Sequence, residues 1–118
     1  MTQAAFQAFE HGLMIWRGDI KLIYVLHDDG SLGYYSDSWD ESQPVDDPAL
    51  VPPAGLYQPV RGFGLLWRTQ AAVAELGWAL APEQGYEMLL QRFEGGTMLL
   101  GPQGEVYALL PYWTWERR

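Results

Sequence analysis

The stretch Gln91-Arg92-Phe93-Glu94-Gly95-Gly96-Thr97-Met98-Leu99-Leu100 occurs twice in this chain, the other copy being the weaker match Gln7-Ala8-Phe9-Glu10-His11-Gly12-Leu13-Met14-Ile15-Trp16. In each copy a Phe-Glu-x-Gly step separates two apolar runs. This pattern is typical of two short strands joined by a tight turn, in which glycine takes the positive φ. Another apolar run follows each copy, at residues 23–26 and 106–109. The sequence therefore predicts a three-stranded antiparallel meander, present twice.

Length and composition limit the possible classes of protein. A chain of 118 residues suits one domain, and 48% hydrophobic with 19% charged residues is a globular composition. Aromatic residues make up 14% of the chain, with 6 Trp and 7 Tyr, and such side chains serve both cores and contact surfaces. The formal net charge of -8 argues against nucleic acid and anionic membranes as partners.

The absence of cysteine excludes disulfides, thiolate chemistry and Cys-based zinc sites, but it leaves the compartment open. No apolar run reaches membrane-spanning length, so we expect no membrane insertion. Residues 1–12 lack the basic start and apolar core of a signal peptide.

Residues 4–35 form the predicted first sheet unit. Turns are expected at Gly18-Asp19 and at Asp28-Asp29-Gly30, the second leading to a plausible fourth strand. The apolar residues of the first unit do not alternate with polar ones, which favours strands that are covered on both faces.

Residues 36–62 form a predicted Pro- and Asp-rich crossover. Its prolines deny backbone donors and favour extended geometry. Apolar residues at 50, 51, 56 and 57 indicate an ordered crossover that packs on the body of the domain.

Residues 63–110 form the predicted helix plus second sheet unit. The helix is expected at 65–76, where apolar residues recur at helical spacing and Gly77 suits a left-handed C-cap. An aromatic tail, residues 111–118, completes a single domain. The predicted class is α+β and mostly β: two related meanders joined by the crossover and packed around one helix.

The order of motifs in the second half resembles a known repeat. After the helix come Leu76-Gly77-Trp78, Pro82-Glu83 and then Gln91-x-Phe93-Glu94-x-Gly96. This order is similar to the LGFP-type repeat of bacterial envelope proteins, although Ala79 stands where that signature has proline. It is more similar to a Gln-x-Phe-Glu-x-Gly-x-Met-x-Trp module of bacterial surface proteins, over most of residues 7–110. The resemblance implies a non-catalytic accessory module, extracellular or in the cell envelope.

Aromatic side chains in or beside the crossover are the candidate ligand-binding residues: Tyr34, Tyr35, Trp39 and Tyr57. Flat rings beside carboxylates are what sugar-binding surfaces use, through stacking and hydrogen bonds to hydroxyls. The alternative is that these rings pin the long loop to a sheet. Both interpretations remain open at this point.

An acidic cluster places seven carboxylates within residues 28–47, with no Lys or Arg among them: Asp28, Asp29, Asp37, Asp40, Glu41, Asp46 and Asp47. Calcium prefers such oxygen ligands, but their spacing is not that of an EF-hand loop. We interpret the cluster as a solvated loop. His11 and His27 lack metal-ligand spacing, so no metal or cofactor is predicted.

Three functions remain open. The first is a non-catalytic binding or adhesion module whose partner is an envelope glycan. The second is a self-assembling or protein-binding subunit, in which Tyr112, Trp113 and Trp115 bury themselves in a neighbouring chain and form a homo-oligomer. The third is a small hydrolase-type enzyme, which would need the acidic loop to meet His27 or Tyr35 in a pocket.

Overall fold

The computed structural model describes all 118 residues, Met1–Arg118. Two antiparallel sheets and two short helices form three layers, with sheet A in the middle. Sheet A contains β1 (Thr2–Phe9), β2 (Gly12–Arg17), β3 (Leu22–His27), β4 (Leu32–Ser36) and β5 (Gln84–Met88), in the order β4-β3-β2-β1-β5. Sheet B contains β6 (Leu90–Phe93), β7 (Gly96–Leu100), β8 (Val106–Leu110) and β9 (Thr114–Arg117), in that order. The predicted α+β, mostly β class is confirmed.

The two Phe-Glu-x-Gly steps form the same hairpin. Phe9 pairs with Gly12 and Phe93 pairs with Gly96, so each turn has two residues. The two glycines have φ values of 152° and 151°, and a Cβ on either would overlap a carbonyl oxygen of the third strand, that of Leu26 or Leu109. Glycine is therefore required at both positions by backbone conformation and by the close approach of the next strand.

Each meander has four strands: the plausible fourth strand of the first unit is present as β4, and β9 adds a fourth strand to the three predicted for the second unit. Leu26 pairs with Leu32 in the first unit, and Leu109 pairs with Trp115 in the second. The extra strand forms because Leu32 and Trp115 bury apolar surface between the two sheets. The predicted aromatic tail at 111–118 thus contains β9.

One strand connects the two sheets. Residues 86–93 match β1 in the repeat, but the segment that contains them divides at Leu89 into β5, which pairs with β1, and β6, which begins sheet B. The division lets one chain segment belong to both sheets, which holds sheet B against sheet A.

Sheet A is covered on both faces, as the lack of alternation predicted. Met14 and Val25 lie beneath the helices, while Ile15 and Leu26 face sheet B, and all four are completely buried. Two apolar clusters therefore lie on opposite faces of sheet A. The helix-side cluster includes Met14 and Val25, and the cluster between the sheets includes Ile15 and Leu26.

The predicted single helix at 65–76 is wrong in extent. The structure has α1 (Arg61–Thr69) and α2 (Ala71–Ala74), separated by Gln70 in extended geometry, with φ -115° and ψ 114°. In an unbroken helix, at about 100° per residue, Leu76 would point about 140° away from Phe63. The break turns both side chains onto sheet A, where both are buried. Gly77 does take the expected left-handed φ of 77°.

The crossover is held mainly by polar contacts. The Gln58 side chain accepts a hydrogen bond from the Asp47 N–H and donates to the carbonyls of Asp47 and Leu50. Leu50 and Val51, which were expected to pack on the body, are exposed instead. Main-chain and amide bonding can order a loop that has few apolar contacts to offer.

Candidate functional site

The four predicted aromatic residues do not meet in one place. Tyr34 lies at the edge of sheet A, edge-on to Tyr24 and to Trp113, with ring centroids 5.5 and 5.2 Å apart. Tyr35 is on the opposite face and packs against the helix-side cluster. Tyr57 is 43% exposed and forms a β-bridge with Ala79. Only Trp39 lines a cleft.

That cleft, of about 320 Å³, lies where the 37–39 segment and the start of α1 meet the helix-side face of sheet A. Three aromatic side chains, Trp16, Trp39 and Phe63, contribute to its walls. Its charged lining residues are Asp37, Arg61 and Glu83. We call these six residues the tryptophan cleft. Its mixture of flat apolar walls and a few charged groups is typical of small-ligand sites.

The charged residues of the tryptophan cleft interact with one another. Arg61 Nη2 lies 3.2 Å from Glu83 Oε1. Burial raises the pKa of the Glu83 carboxyl above its ordinary value, Arg61 opposes that shift, and the charge of Asp37 adds to it. A carboxyl that is partly buried beside a cation in a cleft is a common feature of functional sites.

Arg61 is the first residue of α1 and has an unusual backbone conformation. Its φ is 52°, in the left-handed region that non-glycine residues seldom adopt, and its N–H donates to the Val45 carbonyl at 2.8 Å. Such strain costs about 1 kcal/mol or more and is concentrated at functional positions. Gly62, the next residue, leaves room for the Asp37 carboxylate, since a Cβ there would lie 2.5 Å from Asp37 Oδ1.

The two indoles of the tryptophan cleft differ in their hydrogen bonds. The indole N–H of Trp39 donates to the Pro44 carbonyl at 3.0 Å, which fixes the ring. The indole N–H of Trp16 is buried and has no partner in the chain. That donor is enclosed by the protein, so Trp16 contributes to the cleft through its ring rather than through its N–H.

The predicted self-association residues divide into two groups. Tyr112 and Trp113 are 92% and 64% exposed, in the turn before β9. Trp115 packs instead between the sheets, and its indole N–H donates to the His27 carbonyl at 2.8 Å. Only the first two therefore offer a free aromatic surface.

The acidic cluster does not converge. Asp29 accepts hydrogen bonds from Ser31, Asp40 from Ser42 and Asp47 from Ala49, all within local turns. No group of three or more His, Asp or Glu side chains is arranged to hold a metal ion. His11 lies exposed in the first hairpin turn. None of the helices is long and apolar enough to cross a membrane.

Sequence reasoning missed most of the tryptophan cleft. Trp16 appeared as part of an apolar run predicted to be a strand, and Glu83 only as part of the Pro82-Glu83 motif of the resemblance. Arg61 carried no signal beyond being a charge before an apolar helical segment. Comparisons with protein-family models, with curated proteins and with solved structures gave no match.

Proposed function

We propose that this chain is a non-catalytic binding module whose tryptophan cleft holds a neutral glycan of the bacterial cell envelope. The observation that carries the proposal is the meeting of two indoles with Asp37, Arg61 and Glu83 in one cleft. Indole faces stack on the apolar C–H faces of sugar rings, while carboxylates and a guanidinium bond to their hydroxyls. The net charge of -8 disfavours polyanionic polymers, so the ligand is neutral.

The resemblance to surface-protein repeats supports an extracellular or envelope location for this module. The shape of the tryptophan cleft suits one or two sugar rings rather than a long chain, since its volume is about 320 Å³.

Calorimetric titration with a panel of neutral and acidic oligosaccharides, together with cell-wall pulldown, tests the proposal. We expect binding to a neutral member and a loss of about tenfold or more in Trp39→Ala, because one stacking face is removed. Trp113→Ala is the matched control, since Trp113 is an exposed tryptophan outside the cleft.

Circular dichroism establishes whether Trp39→Ala still folds. Equal binding by Trp39→Ala and Trp113→Ala, or no binding by the wild type to any wall polymer, contradicts the proposal. An unfolded Trp39→Ala variant would show instead that Trp39 is needed to pin the crossover, and Arg61→Ala then becomes the variant to titrate.

A second candidate function is self-association through Tyr112 and Trp113. These neighbours are the most exposed aromatic pair, and both have left-handed φ values, 64° and 60°. Sedimentation velocity over a concentration series should show a dimer that the double variant Tyr112→Ser, Trp113→Ser abolishes. A monomer at all concentrations contradicts this alternative.

A further inference from the structure

The outer face of sheet B repeats the face of sheet A that the helices cover. In sheet A, one cross-strand row runs Gln7, Met14, Val25 and Gly33. In sheet B, the matching row runs Gln91, Met98, Ala108 and Glu116. In the sheet A row, Met14 and Val25 are buried under α1 and α2, and Gln7 is buried beside the segment that follows α2. In sheet B no helix covers the row: Gln91 and Glu116 are exposed and Met98 is partly exposed, although the small side chain of Ala108 is buried.

In the first unit, the end of β1 and the hairpin turn beside this face bind a segment through specific hydrogen bonds. Residues 76–81, which follow α2, run along residues 7–11. The N–H groups of Glu10 and His11 donate to the carbonyls of Trp78 and Leu76, at 3.0 and 2.9 Å. The Trp78 N–H donates to Glu10 Oε1 at 2.8 Å. Two further bonds join the Leu80 N–H to the Ala8 carbonyl and Gln7 Nε2 to the Ala81 carbonyl.

The residues that make this interface are the ones that the repeat preserves. Gln, Phe, Glu, Gly and Met occupy the same positions in residues 7–14 and 91–98. In the first unit each has a task in docking: Gln7 and Glu10 bond to the segment, Phe9 and Met14 pack under it, and Gly12 lies close to Leu76. Tight hairpin geometry alone requires only the glycine.

In the second unit the same groups have no partner. The Glu94 carboxylate is exposed and accepts no hydrogen bond, and the N–H groups of Glu94 and Gly95 donate none within the chain. Phe93 is partly exposed, and the Arg118 guanidinium lies over its ring, 5.4 Å from the centroid. β6 is also an unpaired edge of sheet B. These donors and acceptors complement the polypeptide segment that their counterparts bind in sheet A.

We propose that the outer face of sheet B, with the turn at residues 93–96, docks a helical segment that ends in Leu-Gly-Trp and belongs to another protein. The required chemistry is that of residues 61–81: an amphipathic helix with Phe and Leu toward the sheet, then an extended stretch that pairs with β6. This chain's own segment does not serve, because Val73 and Leu76 are completely buried against sheet A. The interface already present in the first unit is the template for the second.

The test uses the intact chain with methyl-labelled methionine and a synthetic peptide of residues 57–82 as the probe. Peptide should shift the Met98 methyl signal and leave those of Met14 and Met88 unchanged, since these two are completely buried. Glu94→Ala should weaken binding by about tenfold, because one charge-assisted hydrogen bond is lost. Glu87→Ala, an exposed carboxylate of sheet A, is the matched control and should not change it.

A short free peptide loses conformational entropy when it binds, which weakens its affinity. In a second experiment the segment is therefore covalently joined to the same chain. Residue 118 matches residue 35 in the repeat, and a copy of residues 36–82 is therefore joined after Arg118. The added segment should raise the melting temperature and protect Met98 from peroxide, and Glu94→Ala should reverse both effects.

The proposal fails if neither experiment changes the environment of Met98. It also fails if Met98 shifts with protein concentration alone and light scattering gives a dimer, since the face would then be an interface between copies of this chain. An effect that is equal in Glu94→Ala and Glu87→Ala would mean non-specific apolar contact, and that result overturns it as well.

Discussion

Met14 and Met98 occupy the same position in the two units, yet only Met14 lies beneath a helix layer. We predict that Met14→Ala lowers the free energy of unfolding far more than Met98→Ala does. Met14 is completely buried among Val25, Phe63 and the rest of the helix-side cluster. Replacing such a methionine by alanine costs about 2–5 kcal/mol, through lost transfer free energy and the cavity left behind.

Met98 gives a smaller loss because water already reaches part of its side chain. Met98 also lines a groove that is open to solvent, so truncation removes less buried area and leaves no enclosed cavity. We expect a cost of about 1 kcal/mol or less. The two variants should therefore differ by at least about 1–2 kcal/mol, although the chemical change is the same.

Urea unfolding followed by circular dichroism measures both variants under one set of conditions, with the slope against urea as a check on two-state behaviour. Costs that agree within about 0.5 kcal/mol would refute the reasoning, since they would mean that Met98 is as enclosed as Met14. A larger loss for Met98→Ala would refute the assigned layers altogether.

Three further predictions test other parts of the structure. Gly96→Ala should destabilise the chain by about 3 kcal/mol or more in urea unfolding, because its Cβ would strike the Leu109 carbonyl at a positive φ; Gly104→Ala, with open space around it, should cost less. Burial raises the folded-state pKa of Glu83, so the folded chain holds that proton more tightly than the unfolded chain. The stabilisation that protonated Glu83 contributes is fully present below the unfolded-state pKa near 4.5, and it is lost as the pH rises through the folded-state pKa. Glu83→Gln should therefore flatten the dependence of the unfolding free energy on pH between these two pKa values. Calcium at millimolar concentration should shift the melting temperature no more than sodium chloride at matched ionic strength, and a calcium-specific rise that Asp40→Asn abolishes would contradict the account.

The local pattern was sufficient to predict the repeated hairpins. Phe-Glu-x-Gly between apolar runs specifies a two-residue turn, and the lack of alternation indicated strands buried on both sides. These features depend on residues close together in the chain, so their signals survive in the sequence.

Features that depend on distant packing were not predictable. The break at Gln70 serves to bring Leu76 onto the same sheet as Phe63, which is a tertiary requirement with no local signature. The tryptophan cleft joins Trp16 on β2 with Trp39 in the crossover and Glu83 before β5. Nothing in the spacing of these residues shows that they meet, because the crossover between them follows no repeating pattern.

The helix layer covers one unit, while the same face of the other unit stays open to solvent. Peroxide oxidation of the native chain, followed by peptide mass spectrometry, measures this directly through its four methionines. We predict that Met1, which is 83% exposed, reacts first and Met98 next, while Met14 and Met88 are protected until the chain unfolds. Protection of Met98 equal to that of Met14 would contradict this prediction.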